Sequence, residues 1–275
     1  MHFGTLRALT SLDGLRTLPP IRATLRARFE RAFPTPRGTG SLCGEHASFT
    51  AATIAAPRTM HLGYDVQSAA TLYRDRMQRV LPKDYPALYW LSREMQDTAQ
   101  LFDIGGHVGI MYYAYGRYLD FRSHQRWTVC DVPSVVAQGR EMAVEQGATN
   151  LEFTTELDDV TGADVVLATG SLQYIERQIA DLLAAQPRKP RVVLINETPT
   201  HDQREIITLQ NIGVAICPYR IARFGDVVAS MEAIGYELLD SWEDPTRRTQ
   251  IAYVTGANEI AYSGFCFRRR EALGG

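Results

Sequence analysis

Phe102-Asp103-Ile104-Gly105-Gly106-His107-Val108-Gly109 decides the fold, together with Asp131, which follows Gly109 by 22 positions. Gln100–Ile104 predicts a short apolar strand, the glycines a turn, and residues 111–119 the helix that leaves it. Glycine permits the torsions of a tight strand-to-helix turn and lets a ligand come close. An acid at the end of the next strand, here Asp131, can accept both hydroxyls of a ribose. Together these features describe a nucleotide-type cofactor at the first crossover of a parallel sheet. The competing expectation is a structural glycine turn with Asp131 capping a helix.

The spacing narrows the cofactor. A dinucleotide fingerprint ending at Gly109 needs glycine at positions 104 and 106, and position 104 is Ile. The observed D-x-G-G-x-x-G instead resembles motif I of the class I S-adenosyl-L-methionine (SAM) methyltransferases. In that motif the acid, here Asp103, faces the methionine end of the cofactor. The commoner pattern has glycine where His107 stands.

Working outward, residues 127–130, 151–153, 164–169 and 191–196 read as further apolar strands. Amphipathic helices at 133–146 and 175–185 lie among them. Such alternation predicts a mostly parallel sheet with helices on both faces. Near the end, residues 236–242, 250–254 and 260–268 read as strands, the last two joined by a turn at Gly256-Ala257-Asn258. The expected class is α/β: a Rossmann-like, seven-stranded, mostly parallel sheet ending in an antiparallel hairpin. Residues 98–275 form this SAM-binding domain, and residues 1–97 a helical N-terminal cap. In the cap, apolar residues recur at helical steps over 66–81 and 86–99, and Ile21, Leu25, Phe29 and Phe33 suggest a packed helix.

Composition excludes several classes. The 275-residue chain, 45% hydrophobic, is long enough for a full core. A net charge of −2 argues against a general polyanion binder, so nucleic acid is not an expected partner. No apolar run approaches the roughly 18 residues a membrane helix needs. The four cysteines are far apart, with no C-x-x-C pair, and read as reduced thiols of a cytoplasmic protein. No histidine spacing suggests a metal site. There is also no G-x-S-x-G, H-E-x-x-H or P-loop.

Each strand end offers polar candidates on one rim, where ligands of such sheets sit. After Asp103 and Asp131 come Glu156, Asp158 and Asp159, then Thr169-Gly170-Ser171-Leu172-Gln173-Tyr174, then Asn196-Glu197-Thr198-Pro199. Pro218-Tyr219-Arg220 is expected to fold over the pocket. For the acids the alternative is a solvated loop; for Gln173 and Tyr174 it is capping and packing.

Several phrases together resemble one bacterial family. They are Gly63-Tyr64-Asp65, the glycine turn, Trp127-Thr128-Val129-Cys130-Asp131-Val132-Pro133, Gly170-Ser171-Leu172-Gln173-Tyr174-Ile175, Thr198-Pro199, Leu209-Gln210 and Gly235-Tyr236-Glu237. The family is one of SAM-dependent methyltransferases that includes azetidine-2-carboxylate synthases, and the resemblance runs from about residue 40 to 245. It implies cofactor contacts from Asp103, Gly105, Gly106, Gly109, Asp131, Val132 and Gly170, with no metal. It also implies a choice of reaction. SAM is either cyclised, its α-amine attacking its own γ-carbon to release 5′-methylthioadenosine, or its methyl group passes to a small-molecule or saccharide acceptor. A SAM- or nucleotide-binding regulator is the alternative from another class.

Cyclisation is the leading expectation. It needs no acceptor pocket and no strong external base, but it needs a folded aminobutyryl chain and a dry site. Ser171, Gln173, Asn196 and Tyr174 are the expected orienting groups, and Tyr64 is expected to face the sulfonium from a closed cap. An aromatic face attracts such a cation by roughly 0.5–2 kcal/mol.

Overall fold

A computed structural model describes residues 19–68 and 74–270. Its central sheet grows from strands that are apolar on both sides. β3 (Gln100–Ile104), β4 (Arg126–Cys130), β5 (Leu151–Thr154), β6 (Val165–Thr169) and β7 (Val192–His201) are parallel, in spatial order β5-β4-β3-β6-β7. β12 (Ile260–Arg269) adds antiparallel to β7, and β10 (Tyr236–Thr249) antiparallel to β12. This is the Rossmann-like order of the class I methyltransferase fold, with its terminal antiparallel pair.

Strand alternation splits the core into two layers. Leu101, Val129, Leu167, Val192 and Leu194 pack with Leu88, Leu91, Met111, Val135 and Val136 on one face. Those partners come from α3 (Tyr85–Glu94), α4 (Ile110–Tyr115) and α5 (Pro133–Glu145). Phe102, Ile104, Val166, Ala168, Val193 and Ile195 pack on the other face with Ile179, Leu183 and Met231, from α6 (Ile179–Ala184) and α7 (Phe224–Ala233). Burial on both faces explains why these strands read as continuous apolar runs.

The region before residue 98 is not wholly helical. α1 (Pro19–Ala32) and α2 (Phe49–Ala55) form, but β1 (Leu42–His46) and β2 (His61–Leu62) are strands. β1 lies antiparallel to β8 (Ile206–Asn211), which lies antiparallel to β9 (Ala215–Arg223), and β2 runs parallel to β9. β1 is five residues with a central glycine, and its partner lies more than 160 positions away, so local periodicity carries no trace of the pairing. The expected packed helix buries none of its own residues; only Phe29 and the following Phe33 reach the core. Residues 66–81 hold a 3₁₀ turn, Arg74–Gln78, and part of that stretch lies outside the described residues, as do residues 1–18.

The terminal hairpin also has different members from those expected. β10 runs on to Thr249 through an irregularity between Glu243 and Arg248, and is itself the partner of β12. Residues 251–252 form β11 (Ile251–Ala252), which pairs with β1. Among the described residues, no helix is long and apolar enough to cross a membrane.

Candidate functional site

The carboxyl ends of β4, β3 and β6 and the middle of β7 meet a cavity of about 470 Å3, lined also by Gly63, Tyr64 and Arg76 and by Cys217 and Pro218 of β9. Because sheet order fixes the sequence of strand ends, the cavity has a direction. Asp131 stands at one end and Glu197 at the other, with the glycine turn and Gly170 between them.

At the first end, β4 delivers Asp131 and Pro133 starts α5 at a position where proline suits the helix. The Asp131 carboxylate accepts the backbone N–H groups of His107 (2.9 Å) and Val132 (2.8 Å), one on each oxygen. A carboxylate oxygen can take a further donor, so the pair of hydroxyls of a ribose remains within its capacity. Burial pushes this carboxyl up to about 6, with the Asp65 charge adding and the two N–H bonds opposing. Asp65 in turn accepts from the Ser134 N–H at 3.0 Å, tying the Gly63-Tyr64-Asp65 phrase to the start of α5.

Asp103 is fully buried under the turn. Trp127 Nε1 donates to its Oδ2 at 3.1 Å, while Oδ1 has no hydrogen-bond partner among the described residues. Burial raises its carboxyl to about 7, opposed by the Trp127 bond and reinforced by the Asp131 charge. The two glycines are obligatory for close packing. A Cβ on Gly106 would lie 2.3 Å from Asp103 Oδ2, and one on Gly105, at φ +68°, 2.2 Å from Ser171 Cβ.

Two non-glycine residues of the cavity wall hold left-handed backbone, His107 at φ 59° and Glu197 at φ 57°. Each costs about 1–3 kcal/mol, and such strain is characteristic of functional sites. His107 therefore occupies a conformation that the more usual glycine of this motif adopts freely. Glu197 sits where β7 leaves β6 for β9, at an irregularity in the β7–β12 register. A bulge of this kind re-aims a side chain. The buried Glu197 carboxylate consequently lines the cavity, held by Arg247 Nη1 (2.7 Å) and Lys83 Nζ (3.1 Å).

That bulge corrects the expectation for Asn196. Asn196 stays on the Leu194 side of β7, outside the cavity lining, where it accepts from Trp242 Nε1 (2.9 Å) and donates to Asp84 Oδ1 (3.4 Å). Gly109 also lies outside the lining, at the start of α4. Glu156, Asp158 and Asp159 are exposed; Asp158 pairs with Arg177, and Thr155 and Leu157 face the cavity instead.

The other expected residues come together. Ser171 donates its hydroxyl to the Ile104 carbonyl, joining the ends of β6 and β3. Gln173 donates to the Gly170 carbonyl at 2.8 Å, and its buried Oε1 has no partner among the described residues. Tyr174 donates to Gln210 Oε1 at 2.5 Å. Its ring is 5.8 Å from that of Tyr64 and 5.3 Å from that of Tyr219, and Tyr64 stands edge-on to His107 at 6.3 Å. Val132 and Gly170 line the cavity, as does Pro218, whereas Arg220 reaches away to the carbonyls of Ile175 and Glu176.

Burial pushes the thiols of Cys130 and Cys217 to about 12, so neither presents a thiolate at neutral pH. Among the described residues, no group of three or more His, Cys, Asp or Glu is placed to hold a metal ion. Glu197 is among the polar candidates expected after the fifth parallel strand, whereas Arg76, Lys83 and Arg247 carry no local sign in the sequence.

No protein-family model matches the chain, and no curated protein matches it. Solved structures of similar shape do exist. The N-terminal domain of EvdMO1 with SAH bound is 14% identical, with a TM-score of 0.49 over 90% of this chain and 97% of that one. The Burkholderia thailandensis 1,6-didemethyltoxoflavin-N1-methyltransferase is 14% identical, with a TM-score of 0.47 over 92% of this chain and 90% of its own. The CcbJ methyltransferase from Streptomyces caelestis is 12% identical, with a TM-score of 0.48 over 76% and 98%.

Proposed function

We propose that this chain is a SAM-consuming enzyme of small-molecule biosynthesis, and that it cyclises SAM to azetidine-2-carboxylate with release of 5′-methylthioadenosine. The observation that carries SAM use is the paired arrangement at the first crossover. Asp131 has spare acceptor capacity at the end of β4, beside a turn whose two glycines leave no room for side chains. Ribose hydroxyls on Asp131 put the adenine beside Thr155 and Leu157, and the methionine chain across Gly105 and Gly106 toward Tyr64 and Tyr174.

Support for cyclisation comes from the resemblance noted above and from what the cavity offers. At about 470 Å3 it lies toward the small end of ligand sites, which suits one cofactor-sized molecule. Its far carboxylate, Glu197, is committed to two cations. In the reaction the nitrogen lone pair forms the new N–Cγ bond while the Cγ–S bond breaks. The bonding pair goes to sulfur and the ammonium proton to solvent. Nucleophile and leaving group belong to one molecule, so the work of the site is to hold the chain folded and dry. The rings of Tyr64 and Tyr174 stabilise the sulfonium face.

The test is purified protein with SAM alone, with the nucleoside product identified. Methylthioadenosine above the enzyme-free rate, with azetidine-2-carboxylate in equal amount, is the expected result. S-adenosylhomocysteine that appears only with an added acceptor replaces cyclisation by methyl transfer. Binding with no product in either experiment makes the chain a SAM-binding regulator.

A further inference from the structure

The positive wall of the cavity has no part in the ribose and sulfonium contacts described above. Arg76 belongs to the 3₁₀ turn Arg74–Gln78, which packs against α4, the helix leaving the glycine turn. Its side chain lines the cavity. Nε and Nη2 of its guanidinium are buried and have no hydrogen-bond partner among the described residues. The carboxylate paired with it, Asp84 Oδ1, is 3.8 Å from Nη2, which is beyond hydrogen-bond distance. Asp84 is already engaged by Lys83 Nζ (3.2 Å), Asn196 Nδ2 (3.4 Å) and the Leu81 N–H (3.2 Å).

Arg76 shares its cluster with Lys83 and Arg247, which are engaged by the carboxylates Asp84, Glu197 and Asp244. Arg76 is the cation in it whose hydrogen bonds are unmade. Leaving buried donors unsatisfied is costly, and an arriving acceptor removes that cost. A guanidinium suits a carboxylate best of all, because its planar donors match both oxygens.

We infer that Arg76 receives the carboxylate at the amino-acid end of the ligand, an assignment that rests on the SAM reading of the cavity. The carboxylate is the one anionic group of SAM. Asp103 and Asp131 repel it from the glycine turn, and the guanidinium of Arg76, with two buried donors unmade, attracts it. The same contact fixes which way the ligand lies, and it ties the turn at residue 76 to the sheet through the bound molecule.

Calorimetric titration of wild type, Arg76→Ala and Arg76→Lys with SAM, decarboxylated SAM and 5′-methylthioadenosine tests this. Wild type should prefer SAM to its decarboxylated analogue by about ten- to a hundredfold, the range for a charge-assisted pair. In Arg76→Ala that preference should collapse while methylthioadenosine binds as before, and Arg76→Lys should fall between. A preference that survives in Arg76→Ala, or is missing from wild type, overturns the assignment while SAM use stands. Wild type that binds none of the three overturns SAM use itself, and the assignment with it. Should Arg76→Ala fail to fold, the wild-type preference and the Lys variant decide.

Discussion

At the β4 end of the cavity, the groups facing the ligand space come from residues 103–107 and 131–133, two adjacent strand ends and the turns that leave them. At the β7 end they come from Arg76, Glu197 and Arg247, with Lys83 and Asp84 behind them. The first end is acidic and built on local backbone geometry. The second is a knot of opposite charges drawn from three distant segments. The difference teaches where each kind of error falls. A change at the first end disturbs a turn and a pair of N–H bonds, and a change at the second leaves buried charges without partners.

Gly105→Val should have the largest effect. It asks a β-branched residue to adopt φ +68° against Ser171, which costs about 3–5 kcal/mol in strain and overpacking. A melting temperature lower by roughly 10 °C, with SAM binding lost, is expected in a thermal scan. A variant as stable as wild type breaks the account of the first end. At the second end, Glu197→Ala removes the carboxylate that Lys83 and Arg247 share. About 3 kcal/mol of stability should go, measured by urea unfolding. An unchanged midpoint would show the knot to be solvated.

Asp131→Ala sharpens the comparison from the binding side. It removes charge-assisted bonds worth about 1.5–3 kcal/mol, so SAM affinity should drop by about one to two powers of ten while the fold survives. Unchanged affinity places the ribose elsewhere. Acid should act in the same direction on binding and the opposite one on stability. Asp103 and Asp131 titrate at about 7 and about 6 in the folded chain, against about 3.9 when unfolded. Between these values the folded state holds more protons, so these two groups add stability as pH falls from 8 toward 5. SAM binding, which uses ionised Asp131, should weaken over that range. Melting curves and titrations at pH 5, 6, 7 and 8 check both slopes, and Asp131→Asn should flatten each.

The smallest expected effect is at Tyr64. A lost cation–π contact of roughly 0.5–2 kcal/mol predicts that Tyr64→Ala loses a few-fold to about thirtyfold in turnover, with less change in SAM binding. Turnover at the wild-type rate removes Tyr64 from the sulfonium.

The sequence by itself determined the parallel core. Leu101, Phe102 and Ile104, or Val165 to Ala168, are buried on both faces, so burial writes itself directly into runs of apolar residues. The glycine turn and the acid one strand later were legible too, because β3 and β4 are neighbouring parallel strands joined by one short crossover and so end side by side. Only the tertiary structure decided the rest. β1 pairs with β8 across more than 160 residues, and nothing in five residues with a central glycine announces it. Asn196 and Glu197 are adjacent polar residues in the middle of β7, and a single left-handed residue at the bulge sends Glu197 to the cavity and leaves Asn196 hydrogen-bonded to Trp242. Arg76, Lys83 and Arg247 look like ordinary surface cations in the chain. They become a site because the fold gathers them around the buried carboxylates Asp84 and Glu197, and electrostatic energy depends on that distance and environment, not on separation in sequence.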